Sequence, residues 1–100
     1  MSVVMSMKWA GVTPEQYDAV RDLVHWEDKL PDGAVLHVAW FEDGALRVTD
    51  VWNTEADFGR FTEERLMPGV QKVGLTGEPE VTLAPLHRRM IADGVSGAAS

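Results

Sequence analysis

The stretch Ala34-Val35-Leu36-His37-Val38-Ala39-Trp40-Phe41-Glu42-Asp43-Gly44-Ala45-Leu46-Arg47-Val48-Thr49-Asp50-Val51-Trp52 decides the fold. Two β-prone runs, 34–41 and 45–52, flank Glu42-Asp43-Gly44. Asp-Gly is a strong hairpin signal, because both central residues of a type I′ turn need positive φ. With Asp43 and Gly44 as the turn residues, Glu42 faces Ala45 and each outward step pairs directly. Phe41 then faces Leu46, Trp40 faces Arg47, His37 faces Asp50, Leu36 faces Val51 and Val35 faces Trp52. Side chains alternate between faces. One face is predicted to hold Val35, His37, Ala39, Phe41, Leu46, Val48, Asp50 and Trp52, and the other Leu36, Val38, Trp40, Arg47, Thr49 and Val51.

Outward from the hairpin, residues 3–9 alternate as a strand, with Val3, Met5, Met7 and Trp9 on one side. Thr13-Pro14-Glu15-Gln16 opens a helix: Thr13 is an N-cap, Pro14 suits the first helical position, and Gln16 can close a capping box. The pattern predicts this helix to about Lys29, with Tyr17, Val20 and Val24, and Leu23 beside them, as its buried stripe. Leu30-Pro31-Asp32-Gly33 stops it. Thr54-Glu55-Ala56-Asp57 caps a second helix with Phe58, Phe61, Thr62 and Arg65 on one face. Pro68-Gly69 should end or bend it, and residues 70–78 read as a loop or short extra turn. Residues 80–87 form a last strand, with Pro85 at an edge or bulge. A small, polar tail, 93–100, is expected to be flexible, leaving one domain over 1–92.

The order β-α-β-β-α-β predicts an α+β, ferredoxin-like antiparallel sandwich with two helices on one sheet face. The opposite face carries residues such as Leu36, Val38 and Trp40, or else Val35, Ala39 and Phe41, and an apolar face of that size seldom stays in water. A homodimer with two sheets packed face to face is the economical solution.

Composition bounds the function. One hundred residues fit a single domain with one modest core. Sixteen Asp+Glu against nine Lys+Arg give a formal net charge of -7, and a pI near 4.7 argues against nucleic acid, which needs a basic footprint. No cysteine is present, so disulfides, thiolate metal sites and cysteine nucleophiles are excluded. No signal segment and no apolar run of membrane-spanning length occurs, so a cytoplasmic protein that does not enter a membrane is expected.

His37 and Asp50 are the one ionisable pair on the inner hairpin face. Cross-strand Cβ atoms lie ~5 Å apart, so imidazole and carboxylate can bond. The carboxylate would orient the ring and fix its tautomer, as a general base requires; the alternative is a buried polar pair satisfying itself beneath a helix. Arg65, on the apolar stripe, would either bind a substrate carboxylate or enolate or snorkel outward to pair with Glu64 or a dimer partner. Tyr17 would donate its hydroxyl to a ligand or serve as a core residue with its tip at the edge. Trp52, Phe58 and Phe61 would wall an aromatic pocket or simply fill the core. His87 would enter the pocket from the far side of the sheet or sit solvated at a strand end. Trp40 opposite Arg47 suggests a cation–π contact, and His25 near the end of the first helix suits its dipole. The three histidines are far apart, with no metal-ligand spacing, and no phosphate loop or nucleophile elbow occurs, so no metal or cofactor is expected.

The run Arg47-Val48-Thr49-Asp50-Val51-Trp52-Asn53-Thr54-Glu55-Ala56-Asp57-Phe58, feeding into Phe61-Thr62-Glu63-Glu64-Arg65-Leu66-Met67-Pro68, resembles antibiotic-biosynthesis-monooxygenase-like proteins of the dimeric α/β-barrel superfamily. Together with element order and chain length, the resemblance spans roughly residues 3–87. It implies a homodimer and a small-molecule ligand, but a wide range of chemistry: cofactor-free oxygenases, isomerases, cyclases, haem-degrading enzymes and non-enzymatic members. The haem-degrading relatives carry a ligand histidine on the second helix, and residues 55–67 contain none. The cofactor-free oxygenases often employ Tyr, Trp, Asn and Arg, whereas Trp52 and Asn53 here are adjacent and point differently. Three functions follow. The first is a cofactor-free enzyme in which His37, held by Asp50, abstracts a proton from an aromatic, polyketide-like or enolisable molecule while Arg65 or Tyr17 stabilises the oxyanion, leading to oxygenation, isomerisation or cyclisation. The second is a non-catalytic ligand-binding or assembly dimer with a packed pocket. The third is a regulatory ligand domain acting through a separate partner.

Overall fold

The computed structural model describes residues 1–95 and Gly97. The chain runs β1 (Val3–Ala10), α1 (Pro14–Val24), β2 (Ala34–Glu42), β3 (Ala45–Trp52), α2 (Glu55–Phe61), a π-helical turn (Thr62–Leu66), α3 (Met67–Val73) and β4 (Glu80–Pro85). The sheet order is β2-β3-β1-β4, and neighbouring strands are antiparallel. This is the ferredoxin-like α+β fold. Part of the expected flexible tail, residues 96 and 98–100, lies outside the described residues.

The hairpin forms as its turn dictates. Asp43 and Gly44 have φ of 53° and 72°, and pairing runs Phe41–Leu46, Trp40–Arg47, His37–Asp50 and Leu36–Val51. The predicted Val35–Trp52 pair does not form. The register shifts at Val35, so Ala34 meets Trp52. A bulge of this kind bends a strand end. Here it leads into a turn where Ala34 N donates to Pro31 O at 3.1 Å and Asn53 N to Gly33 O at 2.7 Å.

Thr13 makes the capping box with Gln16, and Thr54 Oγ1 accepts from Asp57 N at 3.0 Å. Helix α1 stops at Val24 rather than near Lys29, because His25 adopts the left-handed conformation with φ 55°. Leu23 accordingly lies at the rim, 38% exposed, while Val20 and Val24 are buried. Pro68 and Gly69 do not end the second helical segment. Pro68 cannot donate a hydrogen bond, and the chain widens just before it into the π turn, where Met67 N donates to Thr62 O. It then continues as α3 to Val73, so residues 70–73 are helical rather than loop, and Gly74 (φ 85°) closes the helix. Gly69 is buried against α1; a Cβ there would meet Val24 Cγ1 at 3.4 Å. The last strand ends at Pro85, two residues short of the expected 87.

Helices and sheet enclose one core. Met5 and Trp52 are almost wholly removed from solvent, at 1% and 0% exposure. Met7, Trp9, Val20, Val24, Val48, Phe58, Phe61 and Val70 complete most of it. On the opposite sheet face Leu36, Val38 and Trp40 are exposed at 43%, 46% and 41%. The predicted Trp40–Arg47 cation–π contact is replaced by a hydrogen bond, Trp40 Nε1 donating to Glu42 Oε1 at 3.3 Å. Among the described residues, no helix is long and apolar enough to cross a membrane.

Candidate active site

The alternation of β2 and β3 puts His37 and Asp50 on the helix-covered face, and the hairpin register puts them side by side. Their contact is short: His37 Nδ1 to Asp50 Oδ1 is 2.7 Å. Asp50 is 3% exposed. Its second oxygen, Oδ2, accepts from Trp52 Nε1 at 3.1 Å. Two residues along the same strand share a face, so β3 supplies both the carboxylate and one of its two donors.

With the carboxylate accepting from Nδ1–H, His37 carries its lone pair on Nε2. That nitrogen meets Tyr17 Oη at 2.7 Å. The phenol donates, and a continuous chain results: Tyr17 O–H to His37, His37 N–H to Asp50, and Trp52 N–H to Asp50. Tyr17 and His37 rings are parallel within 7° at 6.2 Å, and Phe41 stands edge-on to Tyr17 at 6.4 Å.

Burial pushes the Tyr17 phenol above its ordinary value of 10.0; Asp50, Glu27 and Asp18 add to this, against the opposing pull of Arg21. The neutral phenol is therefore the form the fold favours. Its contribution to stability is fully present below the unfolded-state value and is lost as pH rises through the raised one. The urea midpoint of the native protein should fall between about pH 9 and about pH 11, and Tyr17→Phe should lack that part of the decline. An identical pH slope in the variant would mean that the phenol is not held out of water.

The chain of hydrogen bonds opens on a cavity of ≈ 90 Å³ between sheet and helices. Met5, Met7, Trp9, Val20, Val48 and Val70 are among its apolar walls, with Tyr17, His37 and Asp50 at one end and Arg21 and Glu27 also contributing. Of the aromatic residues singled out from sequence, Phe58 and Phe61 line the space. Trp52 stands behind them, 5.8 and 5.3 Å away between ring centroids.

Two sequence candidates are placed elsewhere. Arg65 does not reach the cavity. Its Nη1 donates to the main-chain oxygens of Val24, at 3.3 Å, and of Lys29. Arg65 lies within the π turn, whose wider repeat departs from the regular helical spacing that put it on the Phe58 stripe. His87 follows the end of β4 and is exposed; it is not among the cavity residues. His25 stands at the α1 C-cap, with Nδ1 3.2 Å from Asp28 Oδ2.

Sequence reasoning missed Trp26. Its ring lies 5.1 Å from His37, 5.2 Å from Trp52 and 5.4 Å from Phe61, and it lines the cavity. Had α1 continued to Lys29, ~100° per residue would have carried Trp26 to the side opposite Tyr17. Only the left-handed turn at His25 brings it back. Among the described residues, no group of three or more His, Cys, Asp or Glu side chains is gathered as a metal ion would need.

No family model matches this sequence, and no curated protein does. Solved structures do resemble it. SnoaB, a cofactor-independent oxygenase from Streptomyces nogalater, superposes with a TM-score of 0.64 at 15% identity, over 89% of this chain and 95% of that one. Rv0793 from Mycobacterium tuberculosis gives 0.63 at 18% identity, over 90% and 100%. A protein from Caulobacter crescentus, named as a candidate antibiotic biosynthesis monooxygenase, gives 0.65 at 11% identity, over 87% and 91%. At these identities the likeness speaks for the backbone, and residue roles must come from this chain's own geometry. The chain has the ferredoxin-like fold of the antibiotic-biosynthesis-monooxygenase-like structures.

Proposed function

We propose that this protein is a small cofactor-independent enzyme that removes a proton from an apolar aromatic or enolisable molecule. The observation that carries the reading is the hydrogen-bonded series Tyr17–His37–Asp50 facing a largely apolar cavity. Because both His37 nitrogens are engaged, the group that meets the ligand is Tyr17 Oη. As it takes the substrate proton, its own passes to His37 Nε2. The imidazolium formed is held beside the Asp50 carboxylate, and the substrate is left as an enolate or phenolate. Isomerisation, cyclisation or reaction with dioxygen can follow from that anion. SnoaB, which shares the fold, is an oxygenase, which favours the last. The cavity suits a single ring.

The apolar outer face supports a homodimer formed sheet to sheet, with Leu36, Val38 and Trp40 at its centre. Arg47 adds to this: its Nε is buried without a protein acceptor among the described residues, and the paired strands set Arg47 beside Lys8 and Trp40 on that face. A second copy would cover the patch.

The test uses 4-nitrophenol, a single ring whose anion absorbs in the visible. Native protein should bind it as the anion at a pH where the free phenol is mostly neutral. Tyr17→Phe and His37→Gln should each abolish that spectral shift. A ligand that binds but stays neutral in the native protein would support instead a binding or assembly dimer that performs no proton transfer.

A further inference from the structure

We infer that residues 25–30 form a latched lid, that Trp26 sets the size of molecule the cavity admits, and that Arg65 is the positioning residue that holds the lid closed. The inference rests on the reading of the cavity as a small-molecule site. It does not depend on what happens to the ligand there.

Within this segment His25, Glu27, Asp28, Lys29 and Leu30 are exposed, whereas Trp26 turns inward. Its indole closes one wall of the cavity and touches the ring of His37. A segment with a mostly hydrophilic outer side, Leu30 apart, that turns one large aromatic, with Glu27 beside it, to a cavity has the composition of a cover. Its core contacts are aromatic edges on Trp52 and Phe61, which add a modest attraction to the area buried.

The ties that hold the segment are few and lie near water. Arg65 binds the main-chain oxygens of Val24 and Lys29 together, so one guanidinium staples both ends of the turn. Arg21 reaches forward from α1 to Glu27, with Nε–Oε1 at 2.9 Å and Nη2–Oε2 at 3.2 Å. The side chains of that pair are 45% and 43% exposed, and solvent screens exposed ion pairs so that they hold little. Segments held by such contacts open locally at far lower cost than the sheet ladder unzips. Arg65 itself stands in the π turn between α2 and α3, and π turns recur where a helix serves a site. A cavity of ≈ 90 Å³ bounded by a movable indole thus has a built-in route for entry and a built-in size limit.

The experiment compares phenol with 2-naphthol as probes, by calorimetry, and follows 4-nitrophenol binding by stopped-flow absorbance. The native protein should prefer phenol. Trp26→Ala should shift the phenol-to-naphthol affinity ratio toward naphthol by about tenfold or more, and Trp26→Phe should fall between, which keeps the comparison readable if the alanine variant folds poorly. Arg65→Met should raise the association and dissociation rates together by about fivefold or more while Kd changes little. An unchanged affinity ratio in both Trp26 variants, or unchanged rates in Arg65→Met with only a lowered Tm, would overturn the lid. If neither native nor variant protein binds any of the three phenols, the cavity is not a ligand site and the lid falls with it. Bound nitrophenol that remains neutral sinks the proton-transfer reading alone and leaves the affinities and rates free to support the lid.

Discussion

Asp50→Asn should abolish ionisation of bound 4-nitrophenol and, once a substrate is in hand, lower turnover by about 10²–10⁴-fold, the usual range for a positioned acid–base group. The cause is the donor count around the carboxylate. Asp50 accepts from His37 Nδ1 on one oxygen and from Trp52 Nε1 on the other. An asparagine has one oxygen and one NH₂. With its oxygen toward His37, the NH₂ opposes the indole N–H; flipped, it faces the imidazole and forces the proton onto Nε2, where Tyr17 must then stop donating. The first arrangement leaves a donor facing a donor in a buried place, at a cost of about 1–3 kcal/mol; the second keeps the contacts but reverses the His37–Tyr17 bond, so the phenol can no longer pass its proton to Nε2. Neither stabilises an imidazolium as the carboxylate does. Ligand affinity measured calorimetrically with a neutral phenol should change far less than ionisation, because the apolar walls are untouched. A variant that ionised nitrophenol as well as the native protein would show that the carboxylate has no part in proton transfer.

Trp52→Ala should be the most destabilising single substitution in the hairpin, at about 3–5 kcal/mol. Trp52 is 0% exposed. Its ring packs against Trp26, Phe58 and Phe61 at 5.2, 5.8 and 5.3 Å. Removing it leaves a void that three aromatic rings cannot fill without leaving their rotamers, and it takes one donor from Asp50 as well. Domains of this size are stable by ~5–15 kcal/mol in all, and each kcal/mol moves Tm by ~4–8 °C. The midpoint should fall by well over ~10 °C, read by circular dichroism, with the urea slope unchanged if the variant still unfolds in one step. Trp52→Phe, which keeps most of the ring but loses the N–H, should recover much of the loss. A small shift for the alanine variant would mean that the rings around position 52 close over the gap.

The two predictions share a residue neighbourhood that the sequence disclosed only in part. Thr13, Thr54 and the Asp43-Gly44 turn act through bonds to residues two or three positions away, so their outcomes can be read locally. The turn's demand for positive φ sets the register, and the two-residue period of a strand then carries His37 and Asp50 to one face, in contact. That much follows from the order of residues, as does the ferredoxin-like arrangement built around the hairpin. The bulge at Val35 and the end of α1 at His25 do not, because neither falls on a glycine or proline that would demand it, and Pro68 marks a break without telling that the helix widens before it and continues. Their consequences decide the site. The early helix end returns Trp26 to the core, Arg65 in the π turn lies on the carbonyls of Val24 and Lys29 rather than in the cavity, and the seating of α1 on the sheet brings Tyr17 to the free nitrogen of His37. Local chemistry wrote the hairpin; packing between helix and sheet chose which side chains stand around it.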